Sequence, residues 1–235
     1  KSIPRLFFGD PNAPTPVPVN PVFGHDALVE RQINYRSRLP DAFGTPILNQ
    51  NVLSGTAQPN DPTGDIGTHQ FVAAINGPGG GQFAAYDKLT GAVVVAPTLM
   101  ESLGTGGLCA AGLGDPIVLF DELANRWVLT EFTSSGNGLC VYLSDVADLS
   151  GSVTWTRYLF TLPSFPDYPK YGVWPNAYYV GANEGGTAGR RPFYAMDRQK
   201  MLAGQAATMQ RLTIANLAGF GFQMTQPADL AGSEA

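Results

Sequence analysis

The chain has 235 residues, 44% of them hydrophobic and only 14% charged, with a formal net charge of −5. That length suffices for one large domain or two small ones, and the apolar content for a substantial core. The absence of a basic stripe excludes phosphate-backbone binding, and no apolar run approaches the roughly 18 residues of a membrane-spanning helix.

The 28 glycines and 19 prolines are too many for helix interiors, where both are costly, and suit short strands separated by turns. Residues 1–57 read as an extended, proline-rich arm: Pro4, Pro11, Pro14, Pro16, Pro18 and Pro21 forbid a regular helix there. Within it, "HDALVERQINYRSRL" from His25 to Leu39 is a short helix candidate, capped by Asp26 and stopped by Pro40. From residue 58 to 235 the pattern is all-β.

A shape recurs three times in that second part. The copies run from Asp65 to Gly91, from Asp115 to Gly151 and from Asp167 to Gly204. Each opens on an aspartate. A strand led by an aromatic residue follows: "FVAAIN", "WVLTEF", "YYVGAN". After a glycine-bearing turn, a second strand ends on an aspartate and then a glycine. The leading aromatics Phe71, Trp127 and Tyr178 stand roughly 50 positions apart, the size of a propeller blade. A lone four-stranded sheet cannot bury both faces, whereas radial stacking buries them and leaves short edges. The expected fold is therefore a β-propeller with about three complete four-stranded blades. A propeller needs four to eight, so a second polypeptide or the remainder of a precursor is expected to complete the ring.

Cys109 and Cys140 lie in "GGLCAAG" and "NGLCVYL". They are either buried free thiols or, as favoured here, a disulfide closing a loop of about 30 residues, a contribution on the order of 3 kcal/mol. A disulfide places the protein outside the cytosol.

Asp61 and Asp65 flank "PTG", an oxygen-rich turn of a kind that holds calcium or simply caps a strand entry. Asp121 and Glu122, in the bend after "PIVLF", read as solvated. His25 and His69 are the only histidines, and no G-x-S-x-G element accompanies them, so a Ser-His-Asp hydrolase is disfavoured. Arg190 and Arg191 read as salt-bridge partners, and the aromatics of "DYPKYGVWPNAYY" as core or a sugar-stacking face.

"SDVADLSGSVTW" resembles the Asp-box turn of sialidase-like propellers through Ser144, Asp145, Gly151, Thr154 and Trp155, with a stretched interval between aspartate and glycine. In such a turn the aspartate holds amides and the tryptophan packs inward, a folding role. Together with "NDPTGDIGTHQFVAAIN", "GDPIVLFDELANRWVLTEF" and "FPDYPKYGVWPNAYYV", it makes residues 58–230 resemble secreted bacterial β-propeller proteins of sialidase-like or BNR-like architecture. The resemblance implies export to the cell surface, periplasm or medium. It carries no catalytic residues. The expected function is a non-catalytic binding, scaffold or surface-assembly module, with a glycan or surface protein as partner. The alternative is a sialidase- or glycosidase-like hydrolase with acidic residues at the central mouth.

Overall fold

The structure is a computed structural model that describes residues 46, 48–104, 106–184, 190–215 and 224–229. The chain divides into two compact units, Lys1–Pro46 and Ile47–Ala235. The proline-rich segment before Pro46, including the helix expected at His25–Leu39, lies outside the described residues. So does most of the strand-like "FGFQM" near the C-terminus.

Among its described residues the second unit is all-β apart from 3-10 turns and one five-residue helix. Its strands are β1 (Thr63–Ile66), β2 (Gln70–Gly77), β3 (Gly80–Asp87), β4 (Val93–Leu99), β5 (Ile117–Asp121), β6 (Arg126–Phe132), β7 (Gly138–Ser144) and β8 (Trp155–Thr161). β9 (Pro166–Val173), β10 (Tyr178–Glu184), β11 (Arg190–Met196), the helix α1 (Arg198–Leu202) and β12 (Met209–Ala215) follow. They form three four-stranded antiparallel sheets, β1-β2-β3-β4, β5-β6-β7-β8 and β9-β10-β11-β12.

Each sheet is a meander because its turns are locally encoded. Gly77 pairs with Gly80 across Pro78-Gly79, where proline presets one turn residue and Gly79 takes φ +106°. Each third strand then ends on a polar corner. Asp87 Oδ1 accepts the Leu89 and Thr90 amides, Asp145 Oδ1 accepts the Thr154 amide, and Asp197 caps α1 by accepting the Lys200 amide. The outermost strands β4, β8 and β12 follow these corners, one element beyond each repeated stretch read in the sequence.

The second sheet lies between the other two. One face of it, with Trp127, Leu129 and Tyr142, packs against Val72, Ala74, Phe83 and Ala85 of the first sheet. The other, with Val128, Phe132, Val141 and Phe160, packs against Tyr171, Tyr178, Val180 and Tyr194 of the third. Burial on both faces explains why "RWVLTEF" and "GLCVYLS" read as nearly continuous apolar runs without alternation. Each such fully buried large side chain stabilises the stack by about 1.5–3 kcal/mol.

The leading aromatics occupy corresponding places, at or next to the first residue of β2, β6 and β10. Trp127 packs on Phe120 with ring centroids 4.8 Å apart, and its ring edge fills the space beside Gly67 of the first sheet. Tyr178 reaches back to the second sheet, donating its hydroxyl to Asp121 at 2.6 Å. Phe71 lies on the face of the first sheet turned away from the second, with Leu53 and Tyr86. Trp155, half-buried, meets Phe83 of the first sheet edge-on at 6.0 Å. Cys109 and Cys140 form a disulfide, with Cα atoms 5.7 Å apart.

Candidate functional site

Each sheet carries a residue-proline corner at or near its first strand: Asp61-Pro62 precedes β1, Asp115-Pro116 precedes β5, and Tyr168-Pro169 lies inside β9. The residue before each proline has a positive φ: 40° at Asp61, 48° at Asp115 and 56° at Tyr168. A residue before proline is disfavoured in the right-handed helical region, and aspartate tolerates the left-handed one better than tyrosine does. The structural counterpart of Asp115 in the first sheet is therefore Asp61. The repeat read from the sequence had aligned Asp65 there, four positions too far along.

The three corners surround one cavity of ≈ 260 Å³, lined by Asp61, Asp115, Tyr168, Lys170 and the adjoining prolines. Asn76, at the end of β2, ties two corners together. Its Nδ2 donates to Asp61 Oδ2 at 2.8 Å, and its Oδ1 accepts the Asp115 amide at 2.7 Å. The Asp61 and Asp115 side chains line the same side of the cavity, joined through Asn76. Burial, and then the neighbouring charge of Asp61, raise the Asp115 carboxyl above the usual carboxylate range, against the opposing bond from Asn76. Opposite them the Lys170 ammonium lies 3.7 Å from the Tyr168 ring centroid. Burial lowers its pKa, and the charges of Asp115 and Asp61 oppose that shift. The cavity thus presents two carboxyl groups beside a cationic donor, a set suited to a small polar ligand.

Asp65 plays another part. Its Oδ1 accepts the Ile66 amide of its own strand and its Oδ2 the Phe120 amide, both at 2.7 Å, so the second oxygen joins the first sheet to the second. Burial raises its pKa, countered by those two bonds and reinforced by Asp229 and Glu122. Asp61 lines the cavity, whereas each Asp65 oxygen accepts a backbone amide. Among the described residues no group of three or more His, Cys, Asp or Glu side chains is gathered to hold a metal ion.

Two further buried acids were not legible as sites. Asp121, read as solvated, is fully buried and accepts a two-pronged bond from Arg198, Nε to Oδ2 at 2.7 Å and Nη2 to Oδ1 at 2.9 Å. The physical reason is distance in sequence: α1 brings the cation from the third sheet. Glu131 points into the junction of the first two sheets, where it accepts the Gly81 amide at 2.8 Å and the Tyr142 hydroxyl at 2.9 Å. The missing Cβ atoms of Gly80 and Gly112 leave room for its carboxyl group. Burial, the main cause, raises its pKa to about 7, with the two hydrogen bonds opposing. The available sequence signal was a glutamate within an otherwise apolar, doubly buried strand. His69 is exposed, and His25 and the Arg190 side chain lie outside what the structure describes. Arg191 lies on β11, half-buried.

No protein-family profile matches the chain. No curated protein matches it. Among solved structures it is similar to a Bifidobacterium bifidum s17 chain provisionally named exo-beta-1,3-galactanase, at 9% identity and a TM-score of 0.30, over 76% of this chain and 92% of that one. A likeness of that size carries no argument about activity. Among the described residues no helix is long and apolar enough to cross a membrane.

Proposed function

We propose that this chain contributes three successive blades of a propeller-type domain and acts outside the cytosol as a non-catalytic binding module. Its ligand, a glycan or another small polar group of a surface partner, sits at the mouth formed by the Asp61, Asp115 and Tyr168 corners. The convergence on one cavity of three residue-proline corners, each with a positive φ before the proline, carries this reading. It is supported by the use of three other acids: the oxygens of Asp121, Glu131 and Asp65 accept from Tyr178 and Arg198, from Gly81 and Tyr142, and from Ile66 and Phe120. The Cys109–Cys140 disulfide supports an oxidising location.

A second reading, an acid-assisted hydrolase, is favoured by one observation, the placing of the Asp61 and Asp115 carboxyl groups on one cavity, with the pKa of Asp115 raised chiefly by burial.

A glycan panel assayed for both binding and turnover separates the two. Saturable binding without turnover, lost in Asp115→Asn and Lys170→Met, is the expected result. Turnover abolished by Asp115→Asn would establish the hydrolase. Binding that ignores both substitutions, or no binding at all, would overturn the assignment of the cavity.

A further inference from the structure

The two junctions between sheets are filled by large side chains: Trp127, Phe83 and Tyr142 in one, Phe132, Tyr171 and Tyr178 in the other. The far face of the third sheet is built differently. Gly172 of β9 pairs with Tyr179 of β10, and Gly181 of β10 pairs with Lys170 and Phe193. Residues directly opposite in a ladder share a face, so Gly172, Gly181, Tyr179 and Phe193 lie on one side, opposite Tyr178 and Val180.

The segment Met224–Asp229 runs over those glycines. A Cβ at Gly181 would overlap the Thr225 carbonyl oxygen, and one at Gly172 would overlap the Ala228 carbonyl oxygen and lie 2.9 Å from Pro227 Cβ. Pro227 is buried, while Gln226, Ala228 and Asp229 are exposed. Two donors of the sheet fix the segment in register. The Trp174 indole N–H donates to the Ala228 carbonyl at 2.8 Å, and the Val173 amide donates to Asp229 Oδ1 at 2.7 Å. Tyr179 and Phe193, stacked with centroids 5.6 Å apart, lie on the same face.

We infer that the outer face of the third sheet is a peptide-recognition groove. Its ligand class is an extended segment of the form proline, small residue, aspartate, and Thr225–Asp229 is its resident occupant. Sheets pack about 10 Å apart. With no side chain at Gly172 or Gly181, a bare backbone fills that space. Proline suits the floor because its extended conformation is preset and little ordering cost attends its docking. The indole N–H reads a carbonyl, the glycines admit only main chain at contact distance, and the Val173 amide reads the acid. The groove is separate from the Asp61–Asp115 cavity, so either assignment can fail alone. A tethered occupant acts at an effective concentration of roughly millimolar. A free peptide therefore competes only when the strap is weakened or the peptide reaches that range.

The test uses a fluorescent peptide of sequence Met-Thr-Gln-Pro-Ala-Asp and the full chain. Wild type should show no binding at micromolar peptide. The full chain carrying Pro227→Ser and Asp229→Ala should bind saturably. In that background Trp174→Phe, and separately a peptide ending in alanine, should each weaken binding roughly tenfold, the size of one lost hydrogen bond. No binding by the weakened chain, or binding indifferent to both changes, would overturn the groove. A second arm leaves the protein unaltered: a photoreactive version of the peptide at millimolar concentration should label Gly172–Gly181 of the native chain, suppressed by excess unlabelled peptide. Labelling confined to other segments would also overturn it.

Discussion

Arg198 grips Asp121 through two parallel hydrogen bonds, Nε to Oδ2 at 2.7 Å and Nη2 to Oδ1 at 2.9 Å, although 77 positions separate them. The Tyr178 hydroxyl completes the shell around the carboxylate at 2.6 Å. The third sheet is thereby fastened to the second at the end of β5. Removing one partner leaves the other buried without compensation. Asp121→Ala should destabilise the protein by about 3–5 kcal/mol, read as a lower urea midpoint at unchanged slope. Tyr178→Phe, which removes one donor to a charged acceptor, should cost about 1.5–3 kcal/mol.

Glu131 makes stability depend on pH in the direction opposite to most carboxylates. Its pKa in the folded protein is raised to about 7 from 4.5, so between those values the folded state keeps a proton that the unfolded chain has released. Its contribution is fully present below pH 4.5 and is lost as pH rises through 7. The total is about 3 kcal/mol at 1.4 kcal/mol per unit. Glu131→Gln keeps the shape, with one acceptor for the Gly81 amide and a donor for the Tyr142 oxygen. The stability difference between variant and wild type, measured by denaturation from pH 4 to pH 8, should swing towards the variant as pH rises. A flat difference would refute the assignment. Asp148, lowered to about 2 chiefly by the Ser150 amide, acts in the usual sense and below this window: its contribution is lost as pH falls towards 2.

The Cys109–Cys140 bridge spans 31 positions. Replacing both cysteines by serine should cost about 3–4 kcal/mol through the restored freedom of the unfolded chain. Calorimetry of the double variant, compared with the native protein with and without reductant, measures it.

Gly67 and Gly151 form a contrasting pair. A Cβ at Gly67 would lie 2.5 Å from Trp127 Cζ2 and 2.8 Å from Phe120 Cδ2, whereas one at Gly151 would meet nothing within 4 Å. Gly67→Ala should cost about 1–3 kcal/mol by overpacking the first sheet against the second, and Gly151→Ala should stay within about 0.5 kcal/mol. Equal thermal shifts for the two would contradict the packing of Trp127 on the first sheet.

Strands, turns and their order were legible from local chemistry. "RWVLTEF" announces a strand buried on both faces, Pro78-Gly79 a tight turn, and Asp87, Asp145 and Asp197 the corners that follow each third strand. Such features depend on neighbours within a few positions, and residue type alone suffices to place them. The partners of the charged groups were not legible. Asp61 and Asp65 are the same residue four positions apart, yet one lines the cavity and the second sheet offers the other the Phe120 amide. Gln-Pro-X-Asp occurs at Gln58–Asp61 and again at Gln226–Asp229. The first ends at the cavity and the second rides on the glycines of the third sheet. Local sequence sets the period and the turns, but burial of a charge is settled by groups 50 to 77 positions away, which only the stacking of whole sheets brings within reach.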